Sequence, residues 1–320
     1  MNRPIVVSII GPTAVGKTKL GIELSKRING EVINADSMQF YKYFDIGSAK
    51  VTDEETEGIP HHLINHLEPT DDYSAANFKK DLKKLVDDLS ERNKIPVVVG
   101  GTGFYVHSAL YDFQFSDAKR DSEYVKESLD DIKENGVEPY YQKLKTVDPV
   151  QADKIHPHNI RRVVRALEVY DMTGKRMSEI EREQEETSPY QPMIIGLNME
   201  REVLYDRINI RVDQMIENGL LQEVEEIYER FGSDIQPMQG IGYKEWVPYF
   251  EGEYPKERAI ELIKRNTRRF AKRQLTYYRN KIPEVNWYMI DPNNYWSTFE
   301  NIFEKIEGRI DSLSNTNNNR

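Results

Sequence analysis

The chain has 320 residues, of which 38% are hydrophobic and 31% charged, a composition typical of globular proteins. It contains no cysteine and no run of about 18 apolar residues, which excludes disulfides, zinc–thiolate sites and a membrane-spanning helix. The net charge of -10 argues against a nucleic-acid partner, unless the basic residues are concentrated in one place. The start of the chain lacks the features of a signal peptide, so we expect a cytoplasmic protein.

The first hundred or so residues alternate between strand and helix patterns. β-Branched runs predict strands at Pro4–Ile10, Glu31–Ala35 and Ile95–Val99, and apolar residues at helical spacing predict helices at Thr18–Ile28 and about Ser74–Ser90. This alternation predicts an α/β fold with a parallel sheet and helices on both faces. Ligands of such sheets gather at the carboxyl ends of the strands.

The middle of the chain is dense in charged residues and has almost no β-branched runs, which predicts an inserted all-helical subdomain. Strand patterns return at Met193–Leu197 and Asn286–Ile290, with helices from Glu202 between them. Together the strands and loops suggest a core like that of the P-loop NTPases. The predicted divisions are a core of residues 1–115 and 193–312, an insert of residues 116–192, and a disordered tail of residues 313–320.

A phosphate-binding loop follows the first strand and opens the first helix, matching the pattern G-x-x-x-x-G-K-[ST]. In such a loop the backbone amides and the helix N-terminus surround phosphate oxygens. Lys17 adds a positive charge, and the hydroxyl of Thr18 is a ligand for Mg²⁺. The pattern predicts a nucleotide or diphosphate site formed by Gly11, Pro12, Thr13, Ala14, Val15, Gly16, Lys17 and Thr18.

The acidic residue that usually accompanies an ATP-binding P-loop is missing, because the strand at Val97–Val99 ends in Gly100. Asp36 instead closes the second strand, where small P-loop kinases have a carboxylate that binds or deprotonates the acceptor. We interpret Asp36 as a general base. The alternative is an aspartate that only caps a turn.

Two further features point towards the same ligand. Three glycines surround Thr102 within Gly100–Gly103, which would let backbone approach a ligand and leave the hydroxyl available to it. Arg207 and Arg211 lie at positions i and i+4 of one predicted helix and could bind the same phosphates. The alternative for the arginines is a solvated or ion-paired helix face.

Two clusters of ionisable residues have competing interpretations. Eight basic residues and no acidic one lie between Lys264 and Lys281, which indicates a surface for nucleic-acid phosphates, with a solvated helix face as the alternative. His61, His62 and His66 suggest a metal, but no carboxylate pattern accompanies them, so we expect packing or surface histidines.

Taken in order, these motifs resemble the bacterial tRNA dimethylallyltransferase (tRNA isopentenyltransferase) family, over nearly the whole chain. The matching segments, besides the phosphate-binding loop, are Asp36–Gln39, Asp45–Lys50, Ile59–Leu63, Gly100–Gly103, His156-Pro157, Arg165–Val169, Gly240–Lys244 and Ala271–Gln274. The chain departs from the family in having His158-Asn159 after His156-Pro157, where Asn-Asp is frequent.

The resemblance implies transfer of a dimethylallyl group from dimethylallyl diphosphate to the exocyclic N6 amine of the adenosine 3′ of the anticodon in tRNA. It implies Mg²⁺ as cofactor, a protein that acts as a monomer without a membrane, catalytic roles for Asp36 and Thr102, and diphosphate contacts from the loop, Arg207 and Arg211. The residues expected to touch the anticodon stem-loop are Asp36, Ser37, Met38, Gln39, Thr102, Arg161, Arg162, Arg165, Gln239, Gly240, Ile241, Gly242, Tyr243, Lys244, Arg269, Lys272 and Arg273.

Three other functions remain possible from the residues alone: a small-molecule kinase with ATP on the loop, a prenyltransferase for free adenine nucleotides, and a binding module without catalysis. The helical insert and the basic run count against the first two, because a small acceptor needs neither. Asp36 counts against the third, because a pure binding protein has no use for a base at that place.

Overall fold

The computed structural model describes residues 3–115, 121–182 and 187–318. The chain divides into two compact units, of which the first comprises Met1–Leu110 with Ser188–Arg320 and the second Tyr111–Thr187. Both boundaries fall a few residues before those that we expect from the sequence. None of the helices among the described residues has the length and apolar character needed to cross a bilayer.

The first unit is built on a parallel sheet whose described strands have the order β3-β2-β4-β1-β5-β6. The five predicted strands are confirmed, with ends that differ by up to two residues. The two-residue strand β3 is not predicted, since it is too short to show a period. The strands are β1 (Ile5–Ile10), β2 (Gly30–Asn34), β3 (His61–His62), β4 (Ile95–Val99), β5 (Gln191–Asn198) and β6 (Asn286–Met289).

The helices of the described residues are, in chain order, α1 (Lys17–Arg27), α2 (Ala75–Glu91), α3 (Gly103–Leu110), α4 (Ser122–Asn135), α5 (Glu138–Val147), α6 (Pro149–Lys154), α7 (Ile160–Thr173), α8 (Met177–Arg182), α9 (Arg201–Glu217), α10 (Leu220–Phe231), α11 (Val247–Phe250), α12 (Lys256–Lys281) and α13 (Tyr295–Asn318). A short 3-10 helix spans Gln236–Gln239. Helix α13 continues through Asn318, into the segment for which the sequence suggests disorder.

Local signals explain where the helices begin. Helix α2 starts at a capping box, in which the Ser74 hydroxyl accepts the Asn77 N–H and the Asn77 side chain accepts the Ser74 N–H. Helix α1 starts at Gly16, which has no side chain to cap it and adopts a left-handed conformation. The first amides of α1 are therefore not consumed by a side-chain cap.

Each unit has its own apolar core. In the first unit, β1 and β4 are buried on both faces, as expected for a parallel sheet between helices. Leu20 and Leu24 of α1 join a core cluster with Phe299 and Phe303 of α13. The second unit has a separate cluster that includes Tyr141, Leu144, Val163 and Leu167, from α5 and α7.

Candidate active site

The loop between β1 and α1 adopts a conformation with three positive φ angles. Gly11 has φ 152°, Ala14 has φ 65° and Gly16 has φ 105°. The α-carbon face of Gly16 is closed by the Tyr295 ring, whose Cε1 atom would lie 2.9 Å from an added Cβ. Only glycine fits at position 16, and Ala14 is held in a region that non-glycine residues rarely adopt. The loop is thus a strained structure that its neighbours must stabilise.

Three side chains from separate elements brace this loop. Arg207 of α9 donates from Nε to the Ala14 carbonyl oxygen at 3.1 Å. Gln274 of α12 accepts the Thr13 N–H on Oε1 at 3.0 Å. Lys17 donates from Nζ to the Pro12 carbonyl oxygen at 2.8 Å. Two of the three braces therefore come from helices far along the chain.

Lys17 lies in a cavity with one carboxylate and one guanidinium, those of Asp36 and Arg211. Burial lowers the pKa of Lys17 to about 8, although the Asp36 carboxylate raises it and Arg211 lowers it further. Burial also lowers the pKa of Arg211, against the influence of Asp36. The negative charge of Asp36 therefore does not offset the effect of burial on Lys17 and Arg211. An anion bound between the two cations would stabilise the charged form of both.

Asp36 lies just beyond the carboxyl end of β2 and faces this cavity. Its Oδ1 accepts the Met38 N–H at 3.1 Å, so it does cap a turn. Burial raises its pKa, while the Met38 N–H, Lys17 and Arg211 lower it. The base and turn-capping interpretations are thus compatible. The turn uses Oδ1 of the carboxylate, and a base needs only the other oxygen atom. A raised pKa brings a carboxylate closer to the range in which it accepts a proton at neutral pH.

The glycines of the loop after β4 make room for the protein itself. An added Cβ on Gly100 would lie 2.3 Å from the Ala35 carbonyl carbon, and one on Gly101 would lie 2.5 Å from Gln274 Nε2. The Thr102 hydroxyl accepts the Ser37 N–H at 3.0 Å. We expected these glycines to let the backbone approach a ligand. Instead, they allow close packing against Ala35 and Gln274. Thr102 joins the β4 loop to the β2 loop.

The remaining wall of the cavity contains both polar and apolar residues. Gln39 donates from Nε2 to the carbonyl oxygens of Ser48 and Ala49, at 3.2 and 3.3 Å. Among the described residues of the wall, Asp36 is the only carboxylate. The wall residues are Thr13, Lys17, Thr18, Val32, Asn34, Asp36, Gln39, Ser48, Ala49, Val51, His61, Ile64, Val99, Gly100 and Arg211.

Glu223 of α10 holds the turn that supplies Ser48 and Ala49. Its carboxylate accepts the backbone N–H groups of Asp45, Ile46 and Gly47 at 3.0, 2.6 and 3.0 Å. It also accepts the hydroxyl of Tyr243 at 2.7 Å. The sequence did not single out Glu223, since a glutamate in an acidic helix carries no local signal of such a role.

One expected tRNA contact needs correction. Tyr243 is fully buried, and its ring lies against Gly47, where an added Cβ would be 2.6 Å from Cζ. Burial and Glu223 raise its pKa well above the ordinary value. In this structure the Tyr243 side chain has no surface to offer to RNA. Its place in the core follows from the hydrogen bond to Glu223, which the sequence could not reveal.

The neighbours of Tyr243 vary in exposure. Gln239 and Lys244 are exposed, Gly240 and Ile241 are half-buried, and Gly242 is buried with a positive φ of 95°. Met38 packs against Gly240, because an added Cβ there would lie 2.6 Å from its sulfur. The exposed polar side chains of this segment are thus those at its two ends.

The basic run forms one long helix, α12, whose surface is unevenly available. Arg269, Lys272 and Arg273 are exposed. Lys264 is paired with Asp213 of α9 at 2.6 Å. The three exposed residues Arg269, Lys272 and Arg273 therefore lie beside the buried Gln274.

In the second unit, the three arginines of α7 also differ in exposure and in pairing. Arg161 and Arg162 are exposed near the start of the helix. Arg165 donates from Nη1 at 2.8 Å to Glu168, which is fully buried and also accepts the Asp121 N–H at 2.7 Å. Arg165 therefore has a structural partner within this unit.

The metal expectation rests on oxygen donors alone. The described residues contain no group of three His, Cys, Asp or Glu side chains that could hold an ion. Thr18 lines the cavity and presents a hard oxygen atom. Mg²⁺ commonly takes one or two protein oxygens and completes its shell with phosphate oxygens and water, so this donor set fits it.

The comparisons with known proteins agree across the chain. The family model described as IPP transferase matches residues 39–281. A tRNA dimethylallyltransferase of Anoxybacillus flavithermus is 50% identical over 311 residues, which are 97% of this chain and 98% of that protein. One of Oceanobacillus iheyensis is 48% identical over 310 residues, 97% of this chain and 99% of that protein.

Solved structures give the same result. The full-length tRNA isopentenylpyrophosphate transferase of Bacillus halodurans is 43% identical with a TM-score of 0.74, covering 99% of this chain and 100% of its own. A eukaryotic dimethylallyltransferase acting on tRNA is 34% identical with a TM-score of 0.82, covering 98% of this chain and 80% of its own. The likeness therefore includes both the phosphate-binding loop and α12.

Proposed function

The chain belongs to the IPP transferase family, and from this premise we propose that it transfers a dimethylallyl group from dimethylallyl diphosphate to tRNA. The acceptor is the N6 amine of the adenosine 3′ of the anticodon, and diphosphate is released. The observation that carries the proposal is the cavity in which a phosphate-binding loop faces a single carboxylate among its described wall residues, the half-buried Asp36. The reaction needs a binding site for an anionic leaving group and one general base.

The leaving diphosphate is bound by positive charge and by backbone amides. The uncapped N-terminus of α1 and the amides of the loop other than that of Thr13 would donate to phosphate oxygens, and Lys17 and Arg211 would neutralise their charge. Arg207 acts on the loop through Ala14. Thr18 would hold Mg²⁺, which when bound neutralises charge that develops on the departing diphosphate. Stabilisation of that charge is the main electrostatic task of the site.

Asp36 serves as the general base at the acceptor amine. The lone pair of an exocyclic amine is delocalised into the adenine ring, so the amine is a weak nucleophile until its proton is removed. Positive charge develops on the amine nitrogen as the carbon–nitrogen bond forms. Removal of the proton by the Asp36 carboxylate at that stage stabilises the transition state. Oδ1 of Asp36 is anchored by Met38, which orients the carboxylate. Thr102 acts by holding the adjacent Ser37 loop.

Recognition of the tRNA requires the target adenosine to leave the anticodon-loop stack. We assign the phosphate contacts to the exposed face of α12 and to Arg161 and Arg162 of the second unit. Gln239 and Lys244 supply further exposed polar groups. The protein acts as a monomer in the cytoplasm, with Mg²⁺.

The test is mass spectrometry of an anticodon stem-loop RNA incubated with the protein, Mg²⁺ and dimethylallyl diphosphate. A parallel reaction contains ATP in place of the prenyl donor. The expected result is a gain in mass of one C5 prenyl group on the adenosine 3′ of the anticodon, with no change in the ATP reaction. Phosphorylation of any acceptor by ATP, or no gain with the prenyl donor, would refute the proposal.

A further inference from the structure

Gln274 is a buried amide in the middle of the most basic helix of the protein, α12. Its Oε1 accepts the Thr13 N–H of the phosphate-binding loop at 3.0 Å, and its Nε2 donates to the Gly101 carbonyl oxygen at 2.9 Å. Tyr278, one turn later, donates its hydroxyl to the same carbonyl at 2.9 Å. One side chain thus joins the loops that follow the adjacent strands β1 and β4.

The contact between Gln274 and Thr13 joins a helix with exposed basic residues to a loop with a strained backbone. Arg273 and Lys272, next to Gln274 in the chain, are exposed with their charges towards solvent. Thr13 belongs to a loop whose backbone is strained at Ala14 and which needs external braces. The helix whose exposed face we assign to RNA phosphates therefore also holds the phosphate-binding loop, through the buried side chain of Gln274.

A second connection runs through α9. Lys264 pairs with Asp213, and Arg268 donates to the side chain of Asn209, which ties α12 to α9. Arg207 of α9 in turn holds the Ala14 carbonyl. Both braces that come from distant helices thus depend on where α12 lies.

We propose that Gln274 is a positioning residue that couples tRNA binding on α12 to the diphosphate loop, so that RNA increases the affinity for diphosphate. The inference rests on the proposed function, because it takes the exposed face of α12 as the tRNA surface. RNA that fixes α12 restricts the loop to its anion-binding shape before the anion arrives, so less ordering remains when the anion binds. Linkage requires that diphosphate increase the affinity for RNA by the same factor.

The sign of the effect separates this mechanism from simple electrostatics. RNA and diphosphate are both anions, so direct repulsion between them would weaken the second binding event. Tighter binding of diphosphate in the presence of RNA has to come through the protein.

The experiment measures the Kd of inorganic diphosphate with Mg²⁺ by calorimetry, with and without saturating anticodon stem-loop RNA. In the wild-type protein RNA should tighten binding by roughly fivefold or more. In Gln274→Met the factor should fall to about one. Tyr277→Phe is the matched control, since it removes a hydrogen bond between α12 and His107 of α3 but leaves the Thr13 contact, and its factor should stay close to that of the wild type. An equal factor in Gln274→Met, or none in the wild type, overturns the inference.

Hydrogen exchange of the wild-type protein tests the same point without a substitution. RNA alone should slow exchange of the amides in Gly11–Thr18, and unchanged exchange there contradicts the coupling. Failure of the proposed function is distinguishable, because it would abolish prenyl transfer to the RNA. Failure of this inference alone leaves transfer intact while the coupling is absent.

Discussion

Replacement of Asp36 by Asn tests the central chemical assignment with little disturbance of the fold. The amide oxygen of Asn can accept the Met38 N–H as Oδ1 of Asp36 does. The substitution also removes a charge whose desolvation raises the pKa of Asp36. The folded structure should therefore persist, and the change in rate should report on proton removal.

The expected loss is large in the turnover number and small in RNA affinity. A general base contributes about 10²- to 10⁴-fold, so kcat for prenyl transfer should fall by that factor, which is roughly 3 to 5 kcal/mol in activation free energy. The Kd for anticodon stem-loop RNA should stay within a few-fold, because the phosphate contacts lie elsewhere. Single-turnover transfer to the RNA measures the first quantity and fluorescence anisotropy the second.

The pH profile provides a sharper readout. Asp36 must be ionised to act as a base, so kcat/KM for dimethylallyl diphosphate rises as pH increases through its raised pKa. Lys17 must be protonated to hold diphosphate, so kcat/KM falls as pH rises through about 8. In Asp36→Asn the rising limb should vanish. The falling limb should move to lower pH, because the Asp36 carboxylate raises the pKa of Lys17.

Asp87→Asn provides the control, since it makes the same change of charge on the exposed face of α2. Its rates and pH profile should match those of the wild type. The assignment of Asp36 as base fails if Asp36→Asn loses less than about tenfold in kcat, or if it keeps the rising limb.

Three further changes have defined outcomes. Replacing Arg269 and Arg273 together by Ala should reduce the slope of log Kd against log salt for RNA by about 1.4 to 1.8, and an unchanged slope would contradict their phosphate contacts. Tyr243→Phe should lower the free energy of unfolding by about 1 kcal/mol in urea denaturation, because Glu223 keeps its three backbone donors; no loss would show that the hydroxyl bond is dispensable. Ser25→Ala should raise the free energy of unfolding by about 1 kcal/mol, because this buried hydroxyl in α1 has no partner among the described residues, and a loss would be contrary to that.

The parts of the fold that the sequence predicts are those with strong local signals. β4 is a continuous apolar run and β1 is apolar except for Ser8, and a glycine follows each strand. The loop from Gly11 follows a fixed pattern, so the strands and the loop can be predicted without tertiary information. β3 has no such signal, since its two residues become a strand only by pairing with Val32 and Ile33. The existence of β3 depends on a contact that the segment itself does not encode.

The parts of the site that escaped prediction depend on contacts between residues far apart in sequence. Gln274 contacts Thr13 across 261 positions, and within its own helix it is one polar residue in a run of basic ones. Tyr243 was expected to touch tRNA because its segment matched a family motif, yet its side chain is buried and its hydroxyl donates to Glu223. A motif locates a segment, whereas burial decides which of its side chains can reach a ligand.

The structure also gives a physical reason why this loop suits a prenyl diphosphate. A side chain at position 100 is sterically impossible, because its Cβ would lie 2.3 Å from the Ala35 carbonyl carbon. The strand therefore cannot end in the metal-binding aspartate that accompanies ATP-binding loops. Among the described residues of the cavity wall, Asp36 is then the only carboxylate, and a carboxylate committed to Mg²⁺ would be a poor base. With Thr18 and the diphosphate oxygens as the proposed ligands of Mg²⁺, Asp36 would stay available for the amine proton.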